Sequence, residues 1–223
     1  MSDAKNIPTN LGRIAVIGAG GIGSWFCETL YHLILGKQIE FGHIDIYDPD
    51  VVEKKNLKHQ KFFTREVGVH KALVVKARMA DLEDDQLNVY SIKFEEKHLG
   101  NYDTFIICAD NAQVRKIVYE HVYALNTGKE VAKKFLDMRC EGRKYMISTH
   151  ACDKDMLLAS LGADASSTVG RSCQLASDTL QSRIMCGPWA VSSVGAQVLL
   201  DMYRGAPLPE SLVYSDIIPE AAA

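Results

Sequence analysis

The sequence predicts an α/β fold in which a mostly parallel central sheet carries helices on both faces, a three-layer sandwich. Strand patterns alternate with helix patterns along the chain, and several strands are almost wholly apolar, as is typical of strands buried on both faces. The 223 residues fit one domain. Its core is predicted at about 13–150, with an irregular excursion and a final helix at about 151–205 and a tail at 206–223.

The elements follow one another in a regular order. The first strand, RIAVI at 13–17, is followed after a glycine-rich turn by a predicted helix at 23–35. Segment 151–185 is rich in Ser, Asp and Gly, lacks a clear period, and is interpreted as an active-site or partner-facing excursion. The remaining strands are predicted at 41–48, 88–94, 104–109 and twice within 133–149, and the remaining helices at 70–82, 111–125 and 188–203.

Composition limits the classes of function. The chain has 25 Lys and Arg against 28 Asp and Glu, a net charge of −3, which predicts neither nucleic acid nor an anionic membrane as a partner. The N-terminus lacks the apolar core of a signal peptide, and no run reaches the roughly 18 apolar residues of a spanning helix, so a cytoplasmic protein is predicted. Six cysteines form no C-x-x-C pair, so no zinc is expected.

A glycine motif stands between the first strand and the first helix. In GAGGIG, the glycines Gly18, Gly20 and Gly23 fit G-x-G-x-x-G, and Gly21 adds a fourth. The first glycine allows a tight turn, the second lets the backbone approach a phosphate, and the third lets helix and strand pack closely. Asp48 ends the second predicted strand, where a carboxylate can bind ribose hydroxyls. A Rossmann-like nucleotide site is therefore predicted, and an NAD-dependent enzyme is one interpretation of it.

The residues after Asp48 favour a different interpretation. The segments GAGGIGS, YDPDVVEKKNLKHQ, GVHK and CADNAQVR occur in this order within 18–115. Together they resemble the ThiF/MoeB family, adenylating domains related to ubiquitin-activating enzymes. The resemblance implies ATP and magnesium as ligands, a small ubiquitin-like or sulfur-carrier protein as the partner whose C-terminal carboxylate is adenylated with release of pyrophosphate, and a homodimer.

The resemblance also implies roles for individual residues. Asp48 would hold the ribose, Asn56 and Lys71 would reach the phosphates, and Asp110 would bind the metal. Attack on the α-phosphorus requires neutralisation of charge around the triphosphate, which cations supply. The implied catalytic set is Lys71, Asp110 and Asn56, and the implied nucleotide-binding set is Gly18, Gly20, Gly21, Gly23, Asp48, Asp50, Lys58 and Lys71.

Each of these residues also has a structural alternative. Asp48 is also explained as a turn residue, and Lys71 as a solvated helix residue. Asp110 fits the N-cap of the following helix, where Asp is favoured, and Asn56 fits a loop. Asp137, Arg139 and Arg143 in FLDMRCEGRKY either contact the partner's carboxylate or stabilise a hairpin.

The sequence departs from the family pattern in several places. His59 stands where the family has an arginine, and Lys58 and Arg65 are the candidates to replace that charge. Neither the N-terminal helix that lends an arginine to a neighbouring subunit nor the paired zinc cysteines has a clear counterpart. Cys173 is the candidate covalent acceptor, with Arg171 nearby to favour the thiolate, and an inert thiol is the alternative.

Three functions stay open from the sequence: the adenylyltransferase, a catalytically degenerate nucleotide-binding partner protein of the same fold, and an NAD(P)-dependent oxidoreductase. For the oxidoreductase, Asn56, Lys71 and Asp110 have no role.

Overall fold

The structure, a computed structural model, describes residues 10–128, 131–162, 186–211 and 213–216. Its centre is a seven-stranded sheet with the spatial order β3-β2-β1-β4-β5-β6-β7. The first five strands in that order run parallel, and β6 and β7 are antiparallel to their neighbours. The strands are β1 (Arg13–Ile17), β2 (His43–Tyr47), β3 (Leu87–Tyr90), β4 (Thr104–Ile107), β5 (Lys134–Glu141), β6 (Lys144–Thr149) and β7 (Val213–Asp216).

Five α-helices and three 3₁₀-helices lie within the described ranges. The α-helices are α1 (Gly23–Leu35), α2 (Lys71–Arg78), α3 (Ala112–Leu125), α4 (Lys154–Ala159) and α5 (Gly187–Tyr203). The 3₁₀-helices are Lys54–Lys58, Thr64–Glu66 and Glu96–Asn101. None of the described helices is long and apolar enough to cross a bilayer.

Alternate side chains of β1 show why the sheet is covered on both faces. Ile14 and Val16 belong to one hydrophobic cluster, with apolar residues of α1, α2 and α5. Ala15 and Ile17 belong to a second cluster, with residues of α3 and α4. Because successive side chains of a strand point to opposite faces, the four buried residues of β1 after Arg13 must all be apolar. The predicted three-layer, mostly parallel α/β fold is confirmed.

The structure corrects one predicted strand and adds two elements that were not predicted. The strand predicted at 88–94 ends at Tyr90, because the chain then turns into a 3₁₀-helix and Phe94 packs edge-on against Tyr47. The segment predicted as a tail at 206–223 contains β7, which pairs with β6. The first part of the predicted excursion contains α4, whose N-cap Asp153 accepts a hydrogen bond from the Met156 N–H (2.8 Å).

The strand order reverses its direction at β1. From β1 the chain moves outward to β2 and β3, and then returns to the other side of β1 at β4. Ligands of open α/β sheets bind beyond the carboxyl ends of the strands at such a switch point. The turns after β1, β2 and β4 meet there.

Candidate functional site

A cavity of about 840 Å³ opens beyond the carboxyl ends of β1, β2 and β4. Residues from all four sequence motifs line it, although they are separated by up to about a hundred positions in the chain. The residues expected at the site that the cavity brings together are Gly18, Gly20, Gly21, Asp48, Asp50, Asn56, His59, Lys71 and Asp110.

The glycines of the turn after β1 are required for different reasons. Gly18 has φ +97°, and a Cβ there would lie 2.9 Å from the Ala109 nitrogen. A Cβ on Gly23 would lie 1.9 Å from the Gly18 carbonyl oxygen. Both positions therefore require glycine for the fold itself. A Cβ on Gly20 would meet its nearest atom, the Gln60 Nε2, only at 4.0 Å, so the protein leaves open space there. That space lets a ligand phosphate approach the backbone.

Asp48 is buried at the end of β2 and is bonded to the glycine turn. Its Oδ2 accepts a hydrogen bond from the Ala19 N–H (2.7 Å), and its Oδ1 accepts one from the Asp50 N–H (2.9 Å). Burial raises the pKa of Asp48, while the charge of Lys71 and the two N–H donors act in the opposite direction. A carboxylate has about four acceptor positions. Asp48 therefore stabilises the turn and keeps acceptor capacity for a ligand in the cavity.

Lys71 is a buried residue rather than a solvated one. It is the first residue of α2, its side chain is 7% exposed, and its Nζ lies 2.8 Å from the Asp50 Oδ2. The Lys71 N–H also donates to the Asp50 carbonyl (2.9 Å). The ammonium is thereby held at the cavity wall, and the alternative of a solvated helix residue is wrong.

Asn56 has the loop role considered for it from the sequence, and it also lies at the cavity wall. Its Oδ1 accepts a hydrogen bond from the Glu53 N–H (2.8 Å) and so closes the capping box of the 3₁₀-helix Lys54–Lys58. It is also buried and lines the cavity. The loop chemistry fixes this amide where a ligand can contact it.

Neither Lys58 nor Arg65, the candidates to replace the arginine missing at His59, lines the cavity. His59 lines the cavity, and burial, together with the charge of Lys71, lowers its pKa, so the imidazole is neutral at neutral pH. Lys58 is exposed and lies outside the cavity wall, and the Arg65 guanidinium lies 5.5 Å from the ring of the exposed Phe63. Lys55 and Lys93 line the cavity instead, and the sequence interpretation missed both.

Asp110 is not the N-cap of α3. That role belongs to Asn111, whose Oδ1 accepts hydrogen bonds from the Gln113 N–H (2.8 Å) and the Val114 N–H (3.3 Å). Asp110 is instead exposed and lines the cavity. Partial burial raises its pKa, with a smaller contribution from the charge of Asp50, and the charge of Arg115 acts in the opposite direction.

Two carboxylates of the cavity are the candidate ligands for magnesium. Within the described ranges, no three His, Cys, Asp or Glu side chains gather as a metal site. Mg²⁺ is usually bound through one or two carboxylates together with substrate phosphates and waters. Asp50 and Asp110 both line the cavity and are close enough for one charge to affect the other. The residues present therefore fit magnesium that arrives with a nucleotide.

Gln60 is a site residue that the sequence interpretation missed. It lines the cavity opposite Gly20, and its Oε1 is buried without a hydrogen-bond partner in the part of the chain that the structure describes. A buried polar atom without a partner is costly, and a bound ligand or water can satisfy it. Its position in the motif NLKHQ, next to His59, was the available signal.

The remaining residues singled out from the sequence either do not line the cavity or lie outside the described ranges. Asp137 is fully buried and offers no contact surface; its Oδ2 accepts a hydrogen bond from the Nε of Arg139 (2.7 Å), whose side chain is 19% exposed. Cys108, which was not a candidate, is buried and also lines the cavity. Cys173 and Arg171 lie outside the described residues.

A family model agrees with the sequence motifs. The model described as "ThiF family" matches residues 8–201, most of the chain. An adenylyltransferase and sulfurtransferase, UBA4 of Eremothecium gossypii, is 30% identical over 125 residues, which are 53% of this chain and 26% of that protein. A ubiquitin-like modifier-activating enzyme 5 of Oryza sativa is 27% identical over 123 residues, 47% of this chain and 28% of that protein. The alignments thus span about a quarter of the length of these curated relatives.

Solved structures share the fold at low sequence identity. The crystal structure of PaaA superposes with a TM-score of 0.63 at 13% identity, covering 93% of this chain and 61% of PaaA. E. coli MccB, crystallised with AMPCPP and MccA, superposes with a TM-score of 0.60 at 14% identity, covering 99% of this chain and 67% of MccB. These similarities support the Rossmann-like fold.

Proposed function

Because the chain belongs to the ThiF family, we propose that it binds ATP with magnesium in this cavity and adenylates the C-terminal carboxylate of a small ubiquitin-like or sulfur-carrier protein. The observation that carries the proposal is the convergence of the glycine turn, Asp48, Lys71 and Asp110 on one cavity. The names of the UBA4 and UBA5-type relatives support the substrate class.

Each residue has a defined part in binding. The open space over Gly20 admits a phosphate against the backbone, and the positive end of α1 faces it. The Asp48 carboxylate accepts hydrogen bonds from the ribose hydroxyls. Lys71 and Asn56 contact the phosphates, and the ion pair between Lys71 and Asp50 fixes the direction of the ammonium before ATP arrives.

The reaction exchanges one bond for another. A carboxylate oxygen of the carrier protein attacks the α-phosphorus, the bond from this phosphorus to the bridging oxygen breaks, and pyrophosphate leaves with the electron pair. The attacking carboxylate is already ionised, so no general base is required. Lys71 contributes by stabilising the negative charge that builds up on the phosphate oxygens, an interaction that is strongest in the transition state.

The charge of the cavity supports magnesium as part of the proposal. Of the lining residues, Asp48, Asp50, Glu53, Glu95, Glu96 and Asp110 carry negative charge, whereas Lys55, Lys71 and Lys93 carry positive charge. Such a wall attracts cations and repels a free triphosphate. Mg²⁺ held by Asp110 and Asp50 would neutralise phosphate charge there.

Three further parts of the proposal rest on the resemblance or on the sequence alone. A homodimer is expected from the family, and sedimentation of the full chain checks it. A cytoplasmic location and a covalent role for Cys173 are likewise proposals. Replacing Cys173 with Ser should leave pyrophosphate exchange intact while abolishing any covalent carrier adduct.

His59 favours a second candidate, a nucleotide-binding partner protein that has lost catalysis. A neutral imidazole does not supply the permanent charge of an arginine. ATP–pyrophosphate exchange with a panel of purified ubiquitin-like and sulfur-carrier proteins separates the two candidates. Exchange by the wild-type chain supports the enzyme. Exchange that appears only after His59→Arg, and not after His32→Arg at an exposed site on α1, supports the degenerate protein.

A further inference from the structure

A buried arginine lies beneath the turn that carries Asp110. Arg115 belongs to α3 and is almost wholly buried. Its Nη2 donates a hydrogen bond to the carbonyl oxygen of Ala109, the residue immediately before Asp110. Its Nε lies 2.9 Å and 3.3 Å from the two carboxylate oxygens of Asp137. One guanidinium thus joins the turn after β4 to the interior of β5.

Asp137 holds this guanidinium in place. It lies in β5 beside Ile107, the last residue of β4, and is fully buried. Burial raises its pKa, but the charges of Arg115 and Arg139 outweigh that effect and hold the pKa below its usual value, so the carboxylate is ionised at neutral pH. Buried charges paired in this way fix the geometry of the groups around them.

The turn itself is short and lies at the wall of the cavity. Strand β4 ends at Ile107 and α3 begins at Ala112, so four residues connect them. The Cys108 N–H at the start of the turn donates to the Ile17 carbonyl of β1 (2.8 Å), and Asn111 caps α3 at its end. The Ala109 carbonyl lies between these two anchors, and Arg115 holds it.

From this geometry we propose that Arg115, fixed by Asp137, is a positioning residue for Asp110: it holds the peptide that precedes Asp110 and so directs the carboxylate at magnesium and the phosphates of ATP. The consequence for metal and nucleotide rests on the proposed function, whereas the anchoring of the turn does not. Arg115 contacts neither ligand and acts only through Asp110.

Tyr119 provides a matched control from the same network. Its hydroxyl donates to Asp137 and accepts a hydrogen bond from the Arg139 Nη2 (2.7 Å). It is also fully buried on α3, but these hydrogen bonds do not reach the turn. A purely structural network would respond alike to loss of the Tyr119 hydroxyl and to loss of the Arg115 fork.

The first measurement is hydrogen exchange of the full chain without ligand, followed by mass spectrometry of a peptide spanning 108–114. Arg115→Lys keeps the charge but removes the fork that spans the Ala109 carbonyl and Asp137. Exchange in this peptide should rise by about fivefold or more, as expected for loss of one hydrogen bond. Tyr119→Phe should leave it within twofold of wild type. Asp137→Asn, of nearly the same shape, is the second variant if Arg115→Lys does not fold, and should raise exchange in the same peptide.

The second measurement is the ratio of ATP affinity with and without magnesium. In Arg115→Lys this ratio should fall about fivefold, and combining the change with Asp110→Asn should give no further loss. Unchanged exchange in Arg115→Lys and Asp137→Asn, or an equal rise in Tyr119→Phe, overturns the proposal. If the turn loosens as expected but wild-type protein binds no ATP, the anchor stands and the proposed function is wrong.

Discussion

Gly20→Ala tests whether glycine at this position is required for ligand binding rather than for folding. The backbone of Gly20 does not have a positive φ, and the added methyl group would meet its nearest protein atom only at 4.0 Å. Where the native conformation accommodates alanine, the exchange stabilises a protein by about 0.4–1 kcal/mol by restricting the unfolded chain. We therefore expect an unchanged or slightly higher midpoint of urea unfolding.

The same methyl group would occupy the space assigned to a phosphate. Adding a methyl group to a tightly packed contact costs about 1–3 kcal/mol. At about 1.4 kcal/mol per tenfold change, the dissociation constant for ATP should rise about 5- to 150-fold. Isothermal titration calorimetry with AMPCPP, which resists hydrolysis, measures this change in the presence of magnesium.

Two other glycines calibrate the result. Gly100→Ala places a methyl group in open space outside the cavity wall and should leave both stability and affinity close to wild type. Gly23→Ala places one 1.9 Å from the Gly18 carbonyl oxygen and should strongly destabilise the fold. If Gly20→Ala folds normally and binds AMPCPP as tightly as wild type, no phosphate approaches this turn and the reasoning is refuted.

Two more predictions concern catalysis and pH. Lys71→Ala should slow adenylate formation by about a hundredfold, as removal of one preorganised donor does. The control Lys76→Ala, on the same helix but outside the cavity, should stay within about twofold of the wild-type rate. An equal loss of ATP affinity in Lys71→Ala would show that Lys71 contacts ATP already in the ground state. Burial lowers the pKa of His150 to about 4, below its unfolded value of 6.5. Between these two pH values the unfolded chain binds a proton that the folded chain does not. The free energy of unfolding should therefore fall by about 3 kcal/mol as the pH drops from 6.5 to 4. Urea unfolding at several pH values checks this, and a His150→Gln variant whose stability falls just as steeply would contradict it.

The sequence predicted the elements whose patterns are long or strongly apolar. Strand β1 and helix α1 have the predicted bounds, because an apolar run, a glycine motif and helical spacing all mark them. Helix α4 has only six residues, too few for a period to show. Strand β7 has four residues in a segment that reads as a tail, and its pairing with β6 depends on the rest of the sheet.

The sequence predicted which residue types form the site, but not which of two neighbouring residues takes a given position in it. Asp110 and Asn111 are both suited to an N-cap, and only the backbone at the start of α3 decides that Asn111 takes the role. Likewise, the motif shows a density of lysines, but the packing of one 3₁₀-helix decides that Lys55 rather than Lys58 lines the cavity. The network of Arg115 and Asp137 joins residues 22 positions apart and is set by the pairing of β4 with β5.

The most direct test of the account is a calorimetric titration of the full chain with ATP and magnesium, run in parallel with NAD⁺ and NADP⁺. We expect that ATP is the only one of the three nucleotides that binds. Asp48→Ala should abolish this binding, whereas Asp84→Ala, at an exposed carboxylate that does not line the cavity, should not. Binding of a dinucleotide in place of ATP, or binding of ATP that survives Asp48→Ala unchanged, would contradict the account.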